Sequence, residues 1–205
     1  MAWTATESFE SYADGNNLDT LNGGSGWNGA WAVGSGTWTV SNLQAQGGTL
    51  SGRHSTNVAD QFAYRPVSSI TSGELSYYIR TSATGLSQYI NLSASASHAT
   101  LIKILGGFEA TNIVFYDNLT QQTQVTGYNA NQWYKIKIKF GEVVDTYKVS
   151  IDDGSYSAQY AYYNGGTGAI THCHFYRGGG TADFFFDTIA PVSVATSGKN
   201  FLAFM

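Results

Sequence analysis

At 205 residues the chain is long enough to bury a substantial core as one domain, and its composition is unusual. Glycine, tyrosine and phenylalanine number 24, 14 and 11, whereas charged residues make up 12% of the chain. This profile disfavours helices and is typical of short strands joined by glycine and asparagine turns, so we expect an all-β protein. The formal net charge of −4 argues against nucleic acid as a partner.

Membrane insertion and a secretory leader are also not expected. No apolar run approaches the roughly 20 residues that a membrane-spanning helix needs. The first dozen residues (MAWTATESFESY) lack the basic and apolar regions of a signal peptide. A single cysteine, Cys173, excludes an internal disulfide. Since no linker or internal repeat is present, we predict one domain over residues 1–195 and a tail over residues 196–205.

Apolar and polar residues alternate in about a dozen segments, at the spacing typical of sandwiches and barrels. In chain order the predicted strands are residues 4–12, 38–43, 59–67, 73–81, 88–96, 100–105, 111–116, 121–125, 134–140, 147–151, 157–163, 169–177 and 182–189. We expect 73–81 to pair with 88–96, and 100–105 to pair with 111–116 across Gly106-Gly107. Pro66 should end its strand. Two packed antiparallel sheets in a jelly-roll arrangement accommodate this many strands best.

The clearest predicted element is a β-hairpin. Residues 134–140 (YKIKIKF) alternate aromatic or aliphatic residues with three lysines, and residues 147–151 (YKVSI) return with the same period before the turn Asp152-Asp153-Gly154. A period of two indicates one buried face and one wet face. We therefore interpret the lysines as a solvated strand face in preference to a phosphate-binding site.

Two stretches resemble concanavalin A-like lectin and glucanase domains, which include laminin-G-like modules. Residues 132–138 followed by 147–154 are similar to the "W-x-x-v-x-i … y-x-v-x-v-d-G" hairpin of these domains, and residues 185–189 (FFDTI) are similar to their closing strand. The opening Ser8-Phe9-Glu10 with its Asp14-Gly15 turn resembles their first strand. The resemblance implies a concanavalin A-like, two-sheet antiparallel jelly-roll β-sandwich, a fold that hosts binding modules, hydrolases, lyases and structural proteins.

The carboxylates do not form a recognisable catalytic pattern. Glycan hydrolysis usually needs two carboxylates at a set separation. Hydrolases of the resembled superfamily carry an E-x-D-x-x-E strand, and none of the five glutamates of this chain lies in such a pattern. The Tyr-x-Lys and Arg/Glu strands of the lyase branch correspond only loosely to Tyr147-Lys148 and to residues 77–80. We expect a protein that is not an enzyme, with a polysaccharide hydrolase or lyase as the alternative.

Two metal sites are conceivable from the sequence. His172 and His174 would share a strand face, where two imidazoles could bind a transition metal, but a polar sheet face beside a sugar groove is favoured because no third ligand is identifiable. Cys173 would then point into the core. By resemblance to sandwich modules that bridge first and last strands through carboxylates, Glu10 and Asp187 are the expected ligands of a structural calcium ion. The alternative is that Asp187 only caps a strand end.

Aromatic side chains beside amides are the usual means of glycan recognition, because rings stack on sugar faces and amides bond hydroxyl groups. Six residues in two groups have this chemistry: Trp27 and Trp31 in a Gly/Asn-rich loop, and Tyr160, Tyr162, Tyr163 and Asn164 before a glycine turn. The alternative for each aromatic residue is a place in the core or as a plug at one end of the sandwich.

These features predict a lectin-like module that binds a glycan or cell-surface polysaccharide, or a structural protein that serves in attachment. In the second case it would be a virion decoration, fibre or tail-associated protein of a bacteriophage. Its partners would be capsid or tail proteins and further copies of itself. The expected location is the virion or an extracellular surface.

Overall fold

The computed structural model describes residues 2–55, 58–179 and 181–192. Within these ranges the chain forms strands and a single short 3-10 helix, Tyr163–Gly165. The strands are β1 (Ala32–Ser35), β2 (Trp38–Ser41), β3 (Ser51–His54), β4 (Gln61–Ile70), β5 (Gly73–Thr81), β6 (Leu86–Ser93), β7 (Ile102–Ala110), β8 (Asn112–Asp117), β9 (Thr120–Thr126), β10 (Tyr134–Phe140), β11 (Thr146–Ile151), β12 (Tyr160–Ala161), β13 (Ile170–Gly179) and β14 (Phe184–Pro191). In the described ranges no helix has the length and apolar character to span a membrane.

The strands form two seven-stranded antiparallel sheets. The front sheet has the order β1-β4-β13-β6-β7-β8-β9, and the back sheet has the order β12-β11-β10-β5-β14-β3-β2. The last two strands enter the middle of the two sheets, β13 between β4 and β6 and β14 between β5 and β3. The prediction of an all-β, two-sheet antiparallel jelly-roll sandwich is confirmed.

The core between the sheets is aromatic. Phe175 of β13 and Phe186 of β14 stack face to face with ring centroids 3.8 Å apart, and so join the centres of the two sheets. Trp31 and Trp38 lie against the same Phe186 ring, at 5.8 and 6.0 Å. Burial of each such ring contributes roughly 1.5–3 kcal/mol. The buried apolar side chains of both sheets form one cluster.

The predicted tail over residues 196–205 lies outside the described residues. The predicted domain limits therefore stay a prediction.

The predicted hairpin is confirmed. Strand β10 pairs with β11 from Ile136 opposite Ile151 to Phe140 opposite Tyr147. The alternate residues of β10 are buried, and its lysines face outward. The exposed carboxylate of Asp153 pairs with Lys135 and Lys137 at 3.0 and 2.8 Å, which agrees with a solvated face.

One predicted strand pair is wrong. Strand β5 lies in the back sheet between β10 and β14, and β6 lies in the front sheet between β13 and β7. The segment between them therefore crosses from one sheet to the other instead of forming a hairpin. Period-two alternation reports which face of a strand is buried but carries no information on its partner.

The Gly106-Gly107 pair does not form a turn. Strand β7 runs through it, and the turn to β8 falls at Ala110 and Thr111. A Cβ atom on Gly106 would lie 2.2 Å from the Phe115 ring, and one on Gly107 would lie 2.2 Å from the Gln88 carbonyl oxygen. These glycines mark close packing inside a sheet.

Three other segments differ from the sequence-based expectation. Pro66 lies inside β4, beyond the end of β1, where its carbonyl oxygen accepts a hydrogen bond from the Asn28 N–H. In the predicted strand 157–163 only β12 forms, and the 3-10 helix follows. The N-terminal segment forms isolated bridges, Thr6 with Ser25 and Glu7 with Ile189, instead of a continuous strand.

Candidate functional site

The outward face of the front sheet carries a group of ring-bearing side chains, which we call the aromatic band. Its members are Phe62, Tyr64, Tyr89, His172, His174 and Tyr176. They alternate along β4, β6 and β13 with side chains that face the core, such as Ala63, Ile90 and Phe175. Strand register places Tyr176 directly between Phe62 and Tyr89, and His174 directly between Tyr64 and Asn91. Two rows of side chains therefore cross three neighbouring strands.

The rings of the band pack on one another. Tyr89 and Tyr176 are nearly parallel, with centroids 5.9 Å apart and planes at 16°. His98, from the loop after β6, stacks on Tyr176 at 4.6 Å and contacts Phe62 at 4.3 Å. Because each ring is supported by its neighbours, the band presents a fixed set of part-buried aromatic surfaces.

Two adjoining cavities open beside the band. A cavity of about 290 Å³ has Tyr89, Asn91, His98, Tyr116, Tyr163 and Tyr176 among its lining residues, and we call it the aromatic end. A cavity of about 460 Å³ has Leu101, Lys103, Tyr163, Asn164, Gly165 and Thr167 in its lining, and we call it the lysine end. Both are also lined by Ala99 and Ile102, so the two cavities adjoin, and we call them together the groove.

Asn91 supplies an unused hydrogen-bonding atom at the aromatic end. Its side chain is 1% exposed, and its Nδ2 donates to the His98 carbonyl oxygen at 3.2 Å. Neither its Oδ1 nor His98 Nδ1 has a hydrogen-bond partner within the described ranges. A buried acceptor without a partner costs roughly 1–3 kcal/mol, so Asn91 carries unused hydrogen-bonding capacity in the wall of the aromatic end.

Two tyrosines of the groove donate hydrogen bonds to carboxylates. Tyr116 Oη donates to Glu109 Oε2 at 2.8 Å, and Tyr176 Oη donates to Asp60 Oδ1 at 2.5 Å. Burial, followed by these carboxylate contacts, raises the pKa of Tyr116 and of Tyr176 above the ordinary value. Both phenols are therefore neutral donors at physiological pH, and their rings have fixed orientations.

His174 of the band forms a buried pair with Ser93 that resembles part of a hydrolase triad but has the wrong proton arrangement. His174 Nε2 lies 2.9 Å from both Ser93 Oγ and the Ser95 carbonyl oxygen. A carbonyl only accepts, so Nε2 carries the proton, and Ser93 Oγ donates to the same carbonyl at 2.7 Å. The imidazole therefore cannot take the serine proton, as nucleophilic catalysis requires.

The His172–His174 pair shows no metal-site geometry. The ring centroids are 5.9 Å apart, and His172 Nδ1 lies 2.8 Å from Thr171 Oγ1. Across residues 2–55, 58–179 and 181–192, no group of three or more His, Cys, Asp and Glu side chains is placed to hold a metal ion. Cys173 is buried on the core face as expected, and burial raises the pKa of its thiol to about 12.

The sequence-predicted ligand residues do not lie together. Tyr163 and Asn164 line the groove. Trp31, Tyr160 and Tyr162 are buried, so the expectation that their rings are exposed sugar platforms is wrong. Tyr160 packs edge to face on Tyr147, and Tyr160 and Tyr162 both belong to the buried core cluster.

Trp27 belongs to a buried cluster that the sequence reasoning missed. Glu7 and Arg65, each with a side chain 1% exposed, form an ion pair between Oε2 and Nη1 at 2.5 Å. Trp31 Nε1 donates to the same Glu7 oxygen at 3.2 Å, and the Arg65 guanidinium lies 4.8 Å from the centre of a Trp27 ring. The ion pair therefore links the N-terminal segment, which carries Glu7, to β4, which carries Arg65.

Glu10 and Asp187 bind one and the same loop through hydrogen bonds. Glu10 accepts from the N–H groups of Thr49 and Leu50 at 2.9 and 2.7 Å. Asp187 Oδ2 accepts from the N–H groups of Gln46 and Gly47 at 2.8 and 3.1 Å. These donors place positive ends of dipoles where a cation would have to lie, so the oxygens fit calcium poorly as they stand. Calcium binding at this pair stays a prediction.

A sequence signal for the band did exist. In residues 171–177 (THCHFYR) ring-bearing residues occupy both phases of the alternation, whereas a strand with one wet face normally carries other polar residues on that face. Ring-bearing residues on both faces of this strand indicate an exposed aromatic surface.

Comparison with known proteins supports the architecture. No protein-family model and no curated protein matches the sequence. Among solved structures, the chain is similar to a sialidase, with a TM-score of 0.61 and 11% identity over 80% of this chain and 17% of that chain. It is similar to a carbohydrate esterase from Shiga toxin-encoding bacteriophage phi24B, with a TM-score of 0.57 and 15% identity over 85% of this chain and 94% of that chain. It is also similar to the globular domain of T. cruzi calreticulin, with a TM-score of 0.55 and 11% identity over 78% and 84% of the two chains.

These likenesses establish the fold. The protein has a two-sheet antiparallel jelly-roll β-sandwich fold of the concanavalin A-like type, as the resemblance of the hairpin and the closing strand implied. It spans about a sixth of the length of the sialidase, 17%. Since the identities are low, the chemistry has to be argued from the groove itself.

Proposed function

We propose that the protein is a non-catalytic, lectin-like β-sandwich that binds a glycan in the groove of the front sheet. The observation that carries the proposal is the stacked pair of Tyr89 and Tyr176, which lines the aromatic end of the groove beside Asn91. A sugar combines an apolar C–H face with hydroxyl groups, and this site combines ring surfaces with an amide side chain.

The five glutamates support a binding role in preference to catalysis. Glu7 is paired with Arg65, Glu10 accepts backbone N–H groups, and Glu109 accepts the Tyr116 hydroxyl. The remaining two are committed elsewhere: Tyr156 Oη donates to Glu74, and Glu142 pairs with lysines. Hydrolysis or elimination in a polysaccharide needs free acid and base groups beside the sugar. A polysaccharide hydrolase or lyase remains the alternative function.

A glycan array, followed by titration of the glycans that bind, tests the proposal. Tyr176→Ala removes a ring of the band and should weaken binding roughly 10-fold or more. Tyr78→Ala is the matched control, because Tyr78 is a partly buried tyrosine on the outward face of the back sheet. Equal loss in both variants, or no glycan bound at all, would contradict the proposal.

The same titrations address the enzymatic alternative. Incubation of the wild-type protein with a polysaccharide panel should release neither reducing ends nor unsaturated sugars. Release of either product, abolished by a groove substitution, would replace the binding role with catalysis.

We also propose that glycan binding serves attachment, with the protein as a decoration, fibre or tail-associated component of a virion or at an extracellular surface. The supporting observation is that a bacteriophage carbohydrate esterase shares this fold over 94% of its length. Capsid or tail proteins and further copies of the chain would be the partners. Genes for capsid or tail proteins beside this gene, and an oligomer in light scattering, are expected; a monomer among unrelated genes would count against attachment.

A further inference from the structure

The lysine end of the groove contains a buried ammonium group. Lys103 lies in β7 with 4% of its surface exposed. Its Nζ donates a hydrogen bond to the Thr167 carbonyl oxygen. The other residues that line this cavity are uncharged, so Lys103 sets the sign of its electrostatic potential.

The loop opposite Lys103 is built to lie against it. Asn164 and Gly165 take left-handed conformations with φ of 51° and 63°, and Asn118 Oδ1 accepts from the Gly165 N–H at 2.9 Å. A Cβ on Gly166 would lie 2.9 Å from the Ile102 carbonyl oxygen and 3.2 Å from Lys103 Cδ. Glycine at this position therefore permits the close approach that encloses the lysine side chain.

Lys103 differs from the other lysines in its lack of a counter-charge. The four other described lysines are more exposed, and each pairs with a carboxylate: Lys135, Lys137, Lys139 and Lys148. Lys103 is the most buried of the five, yet it has no carboxylate within ion-pair distance in the described ranges. A buried charge is costly unless it is paired, and two of the three ammonium donors are not used by the protein.

We propose that the lysine end binds the carboxylate of an acidic glycan, such as one containing uronic or sialic acid, while the aromatic end holds a neighbouring sugar. The two ends share Tyr163, Ala99 and Ile102, so one oligosaccharide can span them. This inference rests on the proposed glycan-binding function. It adds the class of sugar, which the aromatic band alone does not define.

The experiment uses an array of oligosaccharides in pairs, each acidic glycan beside its carboxyl-reduced neutral counterpart. For glycans that bind, the wild-type protein should prefer the acidic member by roughly 10-fold or more, as a charge-assisted hydrogen bond implies. Lys103→Met keeps a long apolar stem and should abolish the preference. Asn164→Asp is a second variant that places a negative charge at the exposed rim and should weaken the acidic member selectively, with its left-handed φ preserved.

The outcomes separate the two proposals. Equal binding of both members of each pair, or a preference that survives Lys103→Met in a folded variant, overturns the carboxylate inference and leaves glycan binding intact. If Lys103→Met does not fold, a wild-type acidic preference that Asn164→Asp leaves unchanged overturns it equally. Absence of binding to any glycan, acidic or neutral, overturns both proposals.

Discussion

Replacement of Glu7 by Gln should destabilise the fold strongly, because it removes the counter-charge of the buried Arg65 side chain. Glu7 Oε2 accepts from Arg65 Nη1 at 2.5 Å and from Tyr12 Oη at 2.9 Å. Glu7 Oε1 accepts from the Phe9 N–H at 3.0 Å. A glutamine offers one oxygen and directs an NH₂ group at donors, so at least one of these bonds must be lost.

The expected loss follows from this geometry. Breaking a buried ion pair by removal of one partner costs about 3–5 kcal/mol, because the remaining charge stays desolvated. Arg65 keeps other acceptors, the Gly23 carbonyl oxygen at 2.7 Å and Asn22 Oδ1 at 3.0 Å, which places the expectation at the lower end of that range. Against a total stability of about 5–15 kcal/mol, such a loss is readily measured.

The assay is urea denaturation followed by tryptophan fluorescence, which should respond because Trp31 contacts Glu7 directly. Asp153→Asn is the control: Asp153 pairs with Lys135 and Lys137, but its side chain is 56% exposed, so the change should be below about 1 kcal/mol. If Glu7→Gln lowers the free energy of unfolding by less than about 1 kcal/mol, or if both variants lower it equally, the ion pair of Glu7 and Arg65 does not hold the N-terminal segment on β4.

Three further outcomes are expected. Burial lowers the pKa of His54 and of His174 to about 4, so the unfolded chain takes up protons near pH 6.5 that the folded chain accepts only near pH 4. The free energy of unfolding should therefore fall as the pH is lowered from 6.5 to 4, by about 3 kcal/mol for each histidine. Urea titrations at stepped pH measure this fall, and a free energy of unfolding that does not change with pH would contradict it. His174→Gln should make the fall with pH less steep. Asp187→Asn should lower the unfolding free energy by about 1–3 kcal/mol, because the Asp187 oxygens accept hydrogen bonds from backbone N–H groups. A rise in Tm on addition of calcium, lost in this variant, would support an ion at Asp187. No rise would leave Asp187 only as the residue that holds the loop. Gly107→Ala should cost about 1–3 kcal/mol or more in thermal unfolding, since its φ is 151° and a Cβ would meet the Gln88 carbonyl oxygen; wild-type stability would show that β7 can shift.

Local pattern was sufficient for much of the scaffold. The alternation in residues 134–140 and 147–151 predicted the hairpin and its buried face, and the composition predicted an all-β chain. Both follow from short-range physics, since side chains of a strand point alternately to its two faces and glycine and asparagine favour turns. Cys173 was placed on the core face by the same reasoning.

The partner of each strand was decided by long-range packing. The sequence order favoured a hairpin of β5 and β6, but each pairs with strands far along the chain, β14 and β13 among them. Trp31 illustrates the same limit for single residues. In a loop rich in Gly and Asn it was a candidate sugar platform with the core as the alternative, and the folded chain places it in the core, 5.9 Å from Phe175.

The groove exists only in the tertiary structure. Asn91 and Tyr176 are 85 positions apart in number, and the register of β6 with β13 brings their rows together beside the loop that carries Tyr163. Lys103 has an ordinary strand sequence around it, and its burial without a carboxylate depends on a loop some sixty residues later. The sequence by itself determined which faces would be buried, because that is a property of neighbouring residues. Which polar groups would be buried without partners was decided by the folded chain, because it depends on what distant segments bring to the same place.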